Sequence, residues 1–264
     1  MSDNGRSRRQ YLTTIGGTAV TLSVAGCASD TGSDGGAETQ AVTAGTAPGF
    51  PPFEMKEDGE LVGFDVDLLE AVIGQTDYTL SGWEEFEFDS LIPALTNNNI
   101  DVIAAGMTIN DDRDQAIDFT DPYYTSNQAV VVRSDGEFSP ESLSNLADRQ
   151  IGAQSGTTGE SVVDDELVGS EITESQYSAY GNYVLAIEDL ENGNTDAVMI
   201  DVPVAETFAA NRPVEVAFVY ETDEAFGFGL RSNADDLTSS LNSGLSTVQD
   251  DGTYEELTAE WFAE

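Results

Sequence analysis

Thr108, Asn110, Asp111 and Arg113 follow an apolar run, Val102-Ile103-Ala104-Ala105, that stops at Gly106. A run without alternation is expected of a strand buried on both faces of a parallel sheet. The hydroxyls and helix-starting side chains after it mark the point where the strand's carboxyl end opens into a helix. In open α/β sheets that edge is where ligands bind. Arg113 supplies a planar fork that matches a carboxylate at two points, and N–H groups at a helix start add donors beside it. The chemistry indicated is the holding of an anion. A second reading stays open here: Arg113 pairs with Asp111, Asp112 or Asp114 as a solvated helix charge.

Asp201 closes another apolar run, Ala197 to Ile200, and so also stands at a strand's carboxyl end. It is either an acid facing a ligand or the N-cap of a helix that starts near Pro203. Ser155-Gly156-Thr157-Thr158-Gly159 is a glycine-rich strand-to-helix turn. It lacks the lysine and spacing of a phosphate loop, whereas it fits a carboxylate-binding helix start with Thr158 donating. General acid–base chemistry would need a tuned carboxyl group, because histidine is absent and the one cysteine, Cys27, lies before the folded part. The sequence marks out no such group.

The elements that must position these residues alternate between strand and helix. Ala41 to Ala44 reads as a first strand, followed by a proline-stiffened loop, Gly45 to Glu54, that carries Phe50. Asp65 to Gly74 has helical spacing, Tyr78 to Trp83 alternates as a strand, and Asp89 to Thr96 is helical, with Phe88 just before it. Gln128 to Arg133 is a buried strand. The pattern then repeats: strand 150–154, helix from Thr158, strand at Ile172, helix 182–191, strand 196–200, helix 204–210 and strand 214–219. Phe226 to Leu230 alternates as a strand, and 237–248 and 254–262 read as helices.

Six phrases carry a resemblance: Gly63-Phe64-Asp65-Val66-Asp67-Leu68, Phe88 to Leu95, Asp101 to Tyr124, Ile151 to Thr158, Asp196 to Asp201, and Asp251-Gly252-Thr253-Tyr254 with Trp261-Phe262. In order, over residues 40 to 264, the chain resembles the family 3 extracellular solute-binding proteins of ABC importers. The resemblance implies an α/β, periplasmic-binding-protein-like fold of type II, with two lobes of mainly parallel sheet. Lobe 1 would comprise residues 40–123 and 226–264, and lobe 2 residues 124–225, with hinge crossings near 123–128 and 221–227. It implies an amino-acid cargo without cofactor or metal, a permease partner and a monomeric protein. Arg113, Thr108 and backbone N–H groups near Gly106 and Thr158 would hold the cargo carboxylate, and Asp201 its ammonium. Ala47, Phe50, Phe88, Gln154 and Ile200 would surround its side chain. With no spare cation among these residues, the resemblance implies a neutral polar, glutamine-like cargo first and a cationic one second. Alternatives on the same fold are a dehydratase of small carboxylic acids and a ligand-sensing domain.

Fifty acidic against nine basic residues give a net charge of −41, which repels nucleic acid and anionic lipid. The acids have no calcium-loop spacing. An acid-rich, lysine-poor surface suits molar salt, where the Debye length falls to about 3 Å and self-repulsion is screened. Ser7-Arg8-Arg9-Gln10-Tyr11-Leu12 resembles a twin-arginine export motif, Thr13 to Ala25 a signal h-region, and Val24-Ala25-Gly26-Cys27 a lipobox. Residues 1–26 would be removed and 27–39 would form a flexible acidic linker, leaving the protein outside the cell and held to the membrane only through a lipid on Cys27. Cys27→Ser is expected to release intact protein from membranes into the medium, and lysine at both Arg8 and Arg9 to retain precursor inside, as read by cell fractionation. Membrane association unchanged by Cys27→Ser would remove the anchor.

Overall fold

The computed structural model describes residues 40–262. Arg8, Arg9, Cys27 and the expected signal and linker lie outside them. Two five-stranded sheets organise the chain. The first joins β1 (Gln40–Thr46), β4 (Tyr78–Glu85), β5 (Val102–Ile103), β6 (Ile117–Phe119) and β12 (Gly229–Arg231) in the order β4-β1-β5-β12-β6. The second joins β7 (Tyr124–Arg133), β8 (Ile151–Gln154), β9 (Tyr177–Tyr180), β10 (Ala197–Asp201) and β11 (Val214–Phe226) in the order β11-β7-β10-β8-β9. A hairpin of β2 (Met55–Glu57) and β3 (Glu60–Val62) stands apart.

Each sheet is a parallel trio extended by antiparallel strands, rather than mainly parallel throughout. β1 runs parallel to β4 and β5, and β8 parallel to β9 and β10. β7, β11 and β12, the strands around the two crossings, pair antiparallel with their neighbours. The apolar runs behave as expected of strands covered on both faces. In β7, Ala129 and Val131 enter one core cluster while Val130 and Val132 enter another. Helices α1 (Phe64–Ile73), α7 (Asp235–Asp250) and α8 (Thr253–Trp261) pack together on the first sheet.

β7 and β11 pair antiparallel from Tyr124–Phe226 inward, and the register shifts between Glu224 and Tyr220. The displaced N–H groups of Thr222 and Asp223 both donate to Asn127 Oδ1 at 2.9 Å, so the bulge leaves them satisfied. An aromatic cluster surrounds this paired segment. The Phe53 ring lies 5.1–5.4 Å from those of Phe50, Tyr124, Phe226 and Phe262, spacings at which such rings attract.

Some expected elements differ. The strand at Ile172 is only a bridge to Val168, and the true strand is β9, a half-exposed edge whose Tyr-Ser-Ala-Tyr has no apolar run to betray it. The Val102–Ala105 run leaves the ladder after Ile103, although Ala104 and Ala105 stay buried. Phe226 ends β11 and a separate strand begins at Gly229.

Gly244 on α7 packs closely against α1: a Cβ there would stand 2.5 Å from the Val72 carbonyl oxygen. Alanine would gain about 1 kcal/mol of helix propensity, but overpacking costs about 1–3 kcal/mol. Gly244→Ala is expected to lower the thermal midpoint in molar potassium chloride. A raised midpoint would show that α1 and α7 separate freely.

Candidate functional site

The loop after β1 is drawn tight by Phe50 N–H donating to Glu54 O and Phe53 N–H to Phe50 O, at 3.0 and 2.9 Å. That fixes Phe50 and Glu54 at the carboxyl end of β1. Beside them the chain leaving β5 turns at Gly106, whose φ is +53°. A Cβ at Gly106 would meet the Phe50 ring at 2.5 Å, so glycine is required for conformation and for space alike. The next residues staple the site to the crossing strand: Ile109 N–H donates to Ala225 O at 2.8 Å and Gly227 N–H to Met107 O at 3.1 Å.

Arg113 sits on the one-turn helix α3 (Asp111–Asp114), capped by Asn110, whose Oδ1 accepts from Arg113 N–H at 2.9 Å. The side chain is buried rather than spread on the surface among its aspartate neighbours. Its Nη1 donates to Thr108 O at 2.7 Å and its Nη2 to Gly156 O at 2.9 Å, reaching from the first sheet's side to the second's. The guanidinium carbon lies 5.3 Å from the Phe88 ring centre. Burial lowers the Arg113 pKa, and Glu224 and Asp201 offset this.

From the second sheet, Thr157 caps α4 (Thr158–Val162) by accepting from Glu160 N–H. This leaves the Thr158 hydroxyl to donate across the cleft to Thr108 Oγ1 at 3.1 Å. Gln154 ends β8 and donates to Gly181 O. Asp201 ends β10 in the N-cap position of α6 (Val202–Asn211), yet its side chain makes no capping bond, and its buried Oδ1 has no hydrogen-bond partner among the described residues. The capping role is therefore not taken. Burial, reinforced by Glu224, pushes the Asp201 pKa well up, with the Gln128 amide and Arg113 partly offsetting it.

One pocket is lined by all eight expected residues: Phe50, Phe88, Gly106, Thr108, Arg113, Gln154, Thr158 and Asp201. Ala47 lines it too, but Ile200 does not; its side chain is in the apolar core. Gly106 is present as a wall only, because its N–H donates to Asp65 Oδ2 at 2.7 Å instead of facing a cargo.

Sequence reasoning missed three acidic residues. Glu54 lines the pocket, is fully buried, and has no protein hydrogen bond to either carboxyl oxygen; burial first, then Asp65 and Asp201, push its pKa well up. Asp65 also accepts from Tyr123 OH at 2.6 Å, and burial pushes its pKa up to about 7 against these two bonds. Glu224, on β11, accepts from Thr108 Oγ1, Gln128 Nε2 and Thr222 Oγ1 at 2.7–2.8 Å. Among fifty acids no composition signal distinguishes these three, although Asp65 lies within a quoted phrase. Among the described residues no cluster of metal-ligating side chains occurs.

Residues 42–264 match the model of the bacterial extracellular solute-binding proteins, family 3. The chain belongs to this family. This family 3 protein is 32% identical over 235 residues to the ABC transporter arginine-binding protein 1 of Escherichia coli, covering 86% of this chain and 93% of that one. It is 30% identical over 233 residues to the histidine-binding periplasmic protein of Salmonella typhimurium, covering 84% and 88%. Its fold matches the structure of an ancestral arginine-binding protein bound to arginine with a TM-score of 0.79 at 32% identity, covering 84% of this chain and 98% of that one. The two-lobe, periplasmic-binding-protein-like architecture is thereby established. Among the described residues of this family 3 member no helix is long and apolar enough to cross a membrane.

Asp65 allows a test by pH. Its folded pKa of about 7 lies above the ordinary aspartate value of 3.8, so the folded state holds the proton longer and stability falls as pH rises between the two. Relative to the parent, Asp65→Asn is expected to gain stability steadily from about pH 4 to 7 and then level off, whatever its constant offset. Urea unfolding across that range checks it. A difference independent of pH would show that Asp65 ionises normally in the folded protein.

Proposed function

We propose that this family 3 protein captures an amino acid with a cationic side chain between its two lobes and presents it to the permease of an ABC importer. The observation that carries this reading is Glu54: a buried carboxyl group in the same pocket as Arg113 and Asp201, with no protein donor for either oxygen. The cargo carboxylate would take the Arg113 fork with the hydroxyls of Thr108 and Thr158, and the ammonium would take Asp201. This leaves Glu54 for the side chain, beside the Phe50 and Phe88 rings, whose faces attract a cation. Glu54, Asp201 and Glu224 against one Arg113 make an excess of buried acid that a cationic cargo compensates and a neutral one does not.

The sequence placed a neutral cargo first because it showed no spare cation and, at the side-chain end, an aromatic slot with one amide; Glu54 adds an acid to that pocket. The similarity to an arginine-binding and a histidine-binding protein supports the same class. Arg113 on one lobe and Asp201 on the other would make closure favourable only with cargo in place. The paired crossings, bulged at Glu221–Asp223, would act as the hinge. Outside these residues, the twin-arginine signal and a lipid on Cys27 would keep a monomeric protein on the outer face of the membrane.

A thermal-shift panel of amino acids in molar potassium chloride tests the reading, since a bound cargo raises the midpoint by mass action. Arginine, lysine or histidine should give the largest shift, and Arg113→Ala should abolish it by costing about 2–5 kcal/mol of affinity. The cargo should be recovered chemically unchanged, which separates capture from a dehydratase. A largest shift with glutamine would restore the neutral class, and one with glutamate would require a cation at the side-chain end.

A further inference from the structure

Glu54 has no donor to support a charge and no solvent to hydrate one, and its nearest charged neighbours are other acids. It follows the loop after β1, fully buried, and among the described residues neither carboxyl oxygen has a hydrogen-bond partner. Asp65 on α1 and Asp201 at the end of β10 both raise its pKa by repulsion. Tyr123, before β7, donates to Asp65, and Tyr254 on α8 feels the Asp65 charge. Asp201 in turn interacts electrostatically with Glu224 of β11, Arg113 of α3 and Tyr183, the first residue of α5 (Tyr183–Asn192). The only cation in that circle is Arg113, which two backbone carbonyls already hold across the cleft. A carboxyl group enclosed in this way discards its charge by binding a proton.

From this geometry we infer that Glu54 is protonated when the cleft closes on a neutral amino acid and ionised when it closes on a cationic one, so that pH sets which class of cargo the pocket prefers. In the protonated form its O–H is a donor to a carbonyl at the end of a neutral side chain. In the ionised form its two oxygens accept from a guanidinium or ammonium. No bond is made or broken apart from that O–H, and the proton passes to solvent while the cleft is open. The two closed complexes therefore differ by one proton. This difference holds whatever the state of Glu54 in the open protein, because both complexes start from the same open form. The inference rests on the cationic-cargo reading and adds the group that enforces it.

Arginine and citrulline make the comparison, since they match in length and α-groups and differ in charge at the side-chain end. Any proton exchanged at Asp201, Glu224 or Arg113 is common to both and cancels. Calorimetry of the full chain in molar potassium chloride, in two buffers of different ionisation enthalpy, gives the proton count for each ligand. The citrulline complex should hold about one proton more, and the affinity ratio should move toward arginine by about tenfold per pH unit while Glu54 titrates between the two complexes. Glu54→Gln should remove the pH dependence of the ratio. Equal proton counts at every pH, a pH-dependent ratio that survives in Glu54→Gln, or failure of citrulline to bind at the acid end would overturn the inference. If the variant does not fold, the parent counts alone decide. Absence of arginine binding at any pH would instead bring down the cationic-cargo reading beneath it, together with the inference.

Discussion

A guanidinium taken out of water must find acceptors for its N–H groups, and in this protein the acceptors for Arg113 come from both sides of the cleft. Thr108 O belongs to the first lobe and Gly156 O to the second, at 2.7 and 2.9 Å. Satisfying one buried cation thus requires the lobes to meet at a set distance, and the Thr158–Thr108 hydroxyl contact falls into place at the same seam. The acids Asp201 and Glu224 offset the cost of burying it. Without such partners a buried charge costs several kcal/mol, so this contact fixes how the two sheets' loops approach one another.

The turn that carries Thr108 is not a free loop. It hydrogen-bonds along Ala225 to Gly227, at the end of the crossing strand β11, while Thr108 Oγ1 reaches Glu224 on the same strand. Displacement of the turn must therefore displace the crossing. Around it the aromatic rings of Phe53, Tyr124, Phe226 and Phe262 pack at short range and give the crossing a stiff base. The bulge at Thr222–Asp223 keeps its N–H groups satisfied within the paired strands.

Acid serves two physical ends in this chain. On the surface, in molar salt, a carboxylate is screened and well hydrated, and its individual position matters little. Glu54 and Asp201 in the pocket, and Asp65 bonded to the Gly106 N–H behind its wall, are desolvated, and burial is the first cause of each upward pKa shift. Composition cannot separate the two groups, because the residue type is the same and only the surroundings differ.

The sequence by itself determined the family, the strand–helix alternation and eight of the residues that line the pocket. These features depend on local pattern: apolar runs that end in polar turns, prolines that fix a loop, and short phrases retained in order. It left undecided whether Arg113 was a surface charge and Asp201 a helix cap, because either role uses the same residues in the same order. Tertiary structure decided both, by burying the arginine against a carbonyl 43 positions away in the chain and by leaving Asp201 without a capping bond. It alone turned Gly106 N–H toward Asp65, made an edge strand of Tyr177–Tyr180, and brought Glu54 into the pocket without a donor. Each of these outcomes depends on which distant groups come within a few ångströms and whether water is excluded between them, and nearest-neighbour order along a chain carries no record of that.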